Sequence, residues 1–201
     1  MKIQVRAPRK FLALLACVVL CLTSIGTECF HSFITSAESN AKDYITGSYV
    51  FDFDNSSELD KSYSYSKDYL PKVSRDEDKN ILEMDSAGGK VFARLPFKLE
   101  AGKTYEYSIS YRVASKGEST NDRTTVLKLI SSGDNENINS LASAGKARSL
   151  SSIFSWKELN VSNEYTTVSG SFKTTDENVT DKFQYLTLHY ETNKNFPQKI
   201  Y

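Results

Sequence analysis

In residues 103–112 (KTYEYSISYR) the side chains alternate strictly. Tyr105, Tyr107, Ile109 and Tyr111 fall on one side, and Glu106, Ser108, Ser110 and Arg112 on the other. A two-residue period puts successive side chains on opposite faces of an extended strand, whereas one helix face repeats near 3.6 residues. The pattern returns in 183–191 (FQYLTLHYE), where Leu186, Leu188 and Tyr190 oppose Tyr185, Thr187, His189 and Glu191. It returns again where Val168, Gly170 and Phe172 alternate with Thr167, Ser169 and Ser171. Strands are predicted near 48–54, 80–85, 89–97, 103–114, 124–131, 164–174, 182–191 and 197–201, divided by clusters of Gly, Asn, Asp and Ser. The 12% aromatic content is far too rich for a disordered chain, even with only 39% hydrophobic residues. Many short strands with turns between them predict an all-β domain built as a two-sheet sandwich.

Two polar stretches interrupt the pattern. Residues 115–123 (SKGESTNDR) read as a hairpin or sheet-crossing loop. Residues 131–152 are long for a structureless connection, so part of them should pair, with a short helix or strand expected around 138–144. Tyr63, Tyr65 and Tyr69 mark an aromatic-rich early loop or strand.

The N-terminus follows a different rule. Residues 1–10 carry Lys2, Arg6, Arg9 and Lys10 with no acid, and residues 11–22 (FLALLACVVLCL) are continuously apolar. Charged region, apolar region and then small residues at Thr35-Ser36-Ala37 is the order of a secretory signal peptide. Residues 1–37 are therefore expected to be a signal helix, 38–47 a polar lead-in, and 48–201 the folded domain. Cleavage after Ala37 would remove four of the 25 basic residues, one of the 25 acidic ones and all of Cys17, Cys21 and Cys29. The exported chain would then hold no disulfide, no catalytic thiol and no zinc thiolate. It is expected to be secreted or extracellular, free of the membrane once cleaved, and monomeric. The balanced charge of the whole chain excludes a dedicated nucleic-acid binder, which would show a basic excess.

The run 99–113 (LEAGKTYEYSISYRV) resembles the "L-x-x-G-x-x-Y-x-x-S-x-x-x-R/K" strand of the galactose-binding-like carbohydrate-binding modules, the CenC-type family carried by secreted cellulases and xylanases. Residues 165–173 (YTTVSGSFK) are similar to that family's "W-x-x-x-S-G-x-F" strand, with Tyr165 in place of Trp. The resemblance takes in roughly 48–201. It implies a jelly-roll β-sandwich, a polysaccharide or oligosaccharide partner of the β-glucan or xylan kind, and an accessory role beside a glycoside hydrolase. It also implies a structural Ca²⁺ held by an early acid, here Asp52 or Asp54, together with a late one. Lys199-Ile200-Tyr201 stand where the family continues into an acid-bearing strand, so the domain is expected to be cut short before its last strand, with a weakened Ca²⁺ site.

Sugars are held by flat aromatic faces and a few hydroxyl-binding polar groups. The polar strand faces supply Arg94, Arg112, Lys128, Tyr185 and His189 as candidates, gathered in one trough. Trp156, the one tryptophan, is either a sugar platform or a core anchor. Arg112 is either a ligand contact or a solvated sheet residue, and His189 either a contact or a surface histidine. No G-x-S-x-G, H-E-x-x-H, P-loop or Rossmann pattern occurs, so no catalytic residue is assigned. The rival readings are an adhesive or structural surface sandwich and the N-terminal fragment of a glycosyl hydrolase.

Overall fold

The computed structural model describes residues 2–6, 46–86, 89–116, 125–134, 141, 148–157, 159–192 and 198–201. Their strands are β1 (Lys2–Arg6), β2 (Tyr49–Phe51), β3 (Lys61–Ser64), β4 (Lys72–Asp76), β5 (Lys79–Asp85), β6 (Lys90–Lys98) and β7 (Thr104–Tyr111). They continue with β8 (Val113–Lys116), β9 (Thr125–Ser132), β10 (Arg148–Lys157), β11 (Thr166–Lys173), β12 (Tyr185–Thr192) and β13 (Gln198–Ile200). One layer has the order β10-β9-β12-β6-β3, and β11-β7-β1-β2 and β4-β5-β13-β8 face it across the core. Every pairing is antiparallel. The all-β sandwich expected from the alternation is the fold observed.

The core is where the in-facing halves of those alternations meet. Tyr105, Tyr107, Ile109 and Tyr111 of β7 enter it from one layer, and Leu186, Leu188 and Tyr190 of β12 from the other. Aromatic edges knit the interior: Phe97 meets Phe51 at 6.3 Å and Tyr105 at 6.0 Å, both T-shaped, and Tyr105 stacks on Phe172 at 5.4 Å. Gly170 is required by close approach, because a Cβ there would stand 2.5 Å from the Tyr107 hydroxyl. That clearance lets the Tyr107 ring lie across β11 and bond Ser151 of β10 at 3.0 Å.

Eight predicted strands are present, with one division. The segment read as a single strand at 103–114 breaks at Arg112 into β7 and β8. Four strands were not foreseen: β1, β3, β4 and β10. The expectation that residues 2–6 are the charged start of a signal helix is corrected: they form β1 between β2 and β7. KIQVR alternates as a strand must, and Ile3, opposite Phe51 and Ile109, is fully buried. The apolar run 11–22, the cleavage positions and the three cysteines lie outside the described residues, as do most of 115–123 and 138–144. No helix among the described residues is long and apolar enough to cross a membrane.

The loop after β2 is held by a buried carboxylate. Phe53 inserts into the core with φ of 60°, a left-handed conformation that is costly for an aromatic residue. Glu58, 5% exposed, accepts the Phe53 N–H and, at 2.7 Å, the Tyr49 hydroxyl. Burial raises the Glu58 carboxyl above its ordinary range, opposed by those two hydrogen bonds and reinforced by Asp52 and Asp54. A raised carboxyl contributes most to stability below its unfolded value and loses that contribution as pH rises through the folded one. Glu58→Ala, which orphans the buried Phe53 N–H, is expected to lower stability by about 2 kcal/mol in urea denaturation. Glu58→Gln keeps an acceptor and removes the buried charge, so it should match or exceed the wild type at pH 7, with the gap closing in acid.

Candidate functional site

The outward face of the five-stranded layer follows from the core. With Leu186, Leu188 and Tyr190 pointing inward, Tyr185, Thr187, His189 and Glu191 point outward. Strand register then sets Tyr63, Phe92, His189, Lys128 and Ser152 side by side across β3, β6, β12, β9 and β10. The neighbouring row is Lys61, Arg94, Thr187 and Ile130. Four of the residues singled out in the sequence, Arg94, Tyr185, His189 and Lys128, thus share one face.

That face has a buried floor and an open end. His189 stacks on Phe92 with ring centroids 4.6 Å apart and planes 19° from parallel. Its Nε2 lies 3.4 Å from Glu191 Oε2, and Lys90 Nζ lies 3.8 Å from the same oxygen. His189 is the chief cause holding the Glu191 carboxyl below its usual range, with Lys90 and Lys128 adding to it against the opposing effect of burial. Leu141 lies over Phe92 and Ile130, with Tyr63 packed alongside. Tyr63, Lys128, His189 and Glu191 remain half-buried, and Ser152 is exposed.

Arg94 differs from the sequence expectation of an open polar group. It is fully buried. Its Nε donates to Asp60 Oδ2 at 2.6 Å, and its terminal nitrogens reach the Gly133 carbonyl at 2.6 Å and Asp134 Oδ1 at 3.2 Å. Its guanidinium lies 4.6 Å from the centre of the Tyr185 ring, which is itself 6% exposed. A buried guanidinium must spend its donors on protein acceptors. Arg94 therefore ties the loops at 60 and 133–134 to β6.

Arg112 lies on the opposite side of the sandwich. Its neighbours Tyr111 and Val113 enter the core from the layer of β7 and β8, so Arg112 points away from it there. The expectation that Arg112 and Tyr185 line one trough is corrected. Period-2 parity says which side chains face outward but not which layer carries them. Arg112 holds Asp76 of β4 through both Nε, at 2.7 Å, and Nη2, while the Tyr165 hydroxyl donates to Asp76 Oδ2 at 2.6 Å. The guanidinium also sits 4.7 Å from the Tyr201 ring centre and 5.7 Å from that of Tyr165. Arg112 holds the Asp76 carboxyl below its ordinary range, and burial, with Asp76, pushes the Tyr165 hydroxyl up to about 12.

Asp52 and Asp54 line a cavity beside this cluster, with Asn80 donating to Asp54 Oδ1 at 3.2 Å. Among the described residues no three His, Cys, Asp or Glu side chains converge to hold a metal ion. Trp156 belongs to β10, and its side chain lies outside the described residues. The Asp76–Tyr165 part of the Arg112 cluster escaped the sequence reading, because nothing in the chain pattern links positions so far apart.

No family model matches the chain, and no curated protein matches it. Among solved structures it is similar to the N-terminal CBM22-1 and GH10 modules of endo-1,4-β-D-xylanase 10B from Clostridium thermocellum, complexed with xylohexaose. That match has 17% identity and a TM-score of 0.38, and it takes in 71% of this chain and 26% of the other.

The Arg112 cluster makes a pH-dependent contribution of definite sign. A lowered carboxyl supplies stability above its unfolded value and loses it as pH falls through the folded one. Asp76→Asn should therefore lower the melting temperature at pH 7, and the difference from wild type should shrink as pH falls through the lowered Asp76 carboxyl.

Proposed function

We propose that the chain is a non-catalytic carbohydrate-binding domain that takes a polysaccharide or oligosaccharide against the outward face of its five-stranded layer. The observation that carries this reading is the row of Tyr63, Phe92, His189, Lys128 and Ser152 across five strands. The half-buried rings of Tyr63 and His189, the latter backed by the buried Phe92, give the row an apolar edge for sugar C–H faces, while the Lys128 ammonium, the imidazole and the Ser152 hydroxyl supply hydroxyl-binding groups. Arg94 supports this floor from beneath by fixing Tyr185 and the flanking loops. A β-glucan or xylan-like polymer is the ligand class. An accessory role beside a glycoside hydrolase is consistent with a domain in which no catalytic motif is present.

The test is affinity electrophoresis of the whole chain through gels holding soluble β-glucan, xylan or mannan. Retardation by at least one polymer is expected, with affinity falling about tenfold when His189 and Lys128 are both replaced by Ala. Unchanged mobility in all three gels would overturn the reading and leave the adhesive or structural sandwich in its place.

A further inference from the structure

The opposite layer carries a second polar surface that the five-stranded face does not use. On β7 and β11 the outward residues pair across the strands as Ser110 with Thr167, Ser108 with Ser169 and Glu106 with Ser171. One step beyond, Arg112 meets Tyr165. The hydroxyls are joined rung by rung: Ser110 Oγ lies 2.8 Å from Thr167 Oγ1, and Ser169 Oγ donates to Ser108 Oγ at 3.1 Å. Between Glu106 and Ser110, and between Tyr165 and Ser171, every outward side chain other than the Tyr165 ring is polar. At the Tyr165 end the ladder opens into a cavity of about 380 Å³, lined by Asp52, Asp54, Asn80, Ile81, Ser110 and Tyr165.

We propose that this cavity and ladder form a second binding track, for a neutral linear polysaccharide chain laid along β7 and β11. Three features fit that ligand. Tyr165 is 37% exposed, yet its hydroxyl is fixed to Asp76, which Arg112 holds in turn. A platform already ordered loses little freedom when a sugar ring stacks on it. The short Ser and Thr side chains are ordered by each other, and each hydroxyl retains further donor or acceptor capacity toward solvent. From Tyr165 to Ser171 the ladder runs six residues along the strand, roughly 20 Å, which suits a chain of several sugars better than a single ring.

Charge selects among glycans. Among the described residues Asp52, Asp54 and Asp78 line the cavity against Lys79 alone. Among the described residues none of these four makes an ion pair within 4.0 Å. The carboxylates are spread around the opening and do not converge on one metal ion. They accept hydroxyl donors from a neutral sugar and repel a uronic acid.

The test uses the whole chain with His189→Ala and Lys128→Ala, which weakens the five-stranded face, and assigns the remaining binding by substitutions confined to the track. Calorimetric titrations are made with hexasaccharides of β-1,4-linked glucose, xylose and mannose, with the matching disaccharides, and with a hexamer of galacturonic acid. At least one neutral hexasaccharide should still bind, about tenfold more tightly than its disaccharide, while the galacturonate hexamer should not. Adding Tyr165→Ala should abolish the remaining heat. Adding Ser169→Arg, an exposed position whose change leaves the Asp76 cluster intact, should weaken hexasaccharide binding about tenfold and leave the melting temperature unchanged. No binding in the His189/Lys128 background, indifference to both added substitutions, or equal affinity for galacturonate would each overturn the proposal.

Discussion

β7 and β12 place alternate side chains in one dry interior, and that interior is what the two layers share. Tyr105, Tyr107, Ile109 and Tyr111 cannot leave it without exposing four large side chains, each worth on the order of 2 kcal/mol of burial. Their commitment fixes the facing of β7. β7 then fixes β11 through eight consecutive antiparallel pairs. The same logic runs through β12, whose inward Leu186, Leu188 and Tyr190 leave Thr187 and His189 on the outside. Surface chemistry is thus the remainder of core packing, and the two outer faces are chemically different because different strands supply them.

Arg94 and Arg112 show how a charge is accommodated on such faces. Arg94 has no exposed surface and is met by Asp60, Asp134 and the Gly133 carbonyl, with the Tyr185 ring against it. Arg112 is partly exposed and is met by Asp76, Tyr165 and Tyr201. In both cases a planar fork of donors is matched to a carboxylate and backed by an aromatic ring. Desolvating an ion costs several kcal/mol unless such partners are in place. The partners come from distant segments, so each arginine also acts as a tie between loops or strands that share no ladder.

The period-2 signal made β7, β11 and β12 legible, including which residues of each enter the core. It failed at β10, where Ile153 and Phe154 are both buried although adjacent in sequence. The ladder to β9 shifts register three times there, and each bulge inserts a residue that breaks the alternation. At β3 all four residues, Tyr63 among them, are only half-buried on an edge strand, so the pattern lacks contrast. β1 was misread as a charged leader because charge dominates its composition, although Lys2–Arg6 also alternates. The candidate site was legible in part. The shared face of Tyr185 and His189 follows from parity within β12, whereas the addition of Arg94 and Lys128 and the separation of Arg112 depend on which layer each strand joins, and that is set by pairings far apart in the chain.

The Arg112 cluster bears on mechanics as well as charge. β11-β7-β1-β2 and β4-β5-β13-β8 are separate hydrogen-bonded sheets that abut where β7 passes into β8. At that seam Arg112 and Tyr201 exchange backbone hydrogen bonds of 3.0 Å in both directions. The side chain of Arg112 then reaches Asp76 at the end of β4, and Asp76 takes the hydroxyl of Tyr165 just before β11. Four segments are pinned at one point, with short bonds and little free rotation. Without that pin, the two half-layers would be joined by the chain itself and by core contacts, which resist sliding less well than directional bonds. The cluster therefore holds the seam in register, and it does so at the head of the hydroxyl ladder, where a misplaced Tyr165 would cost the most.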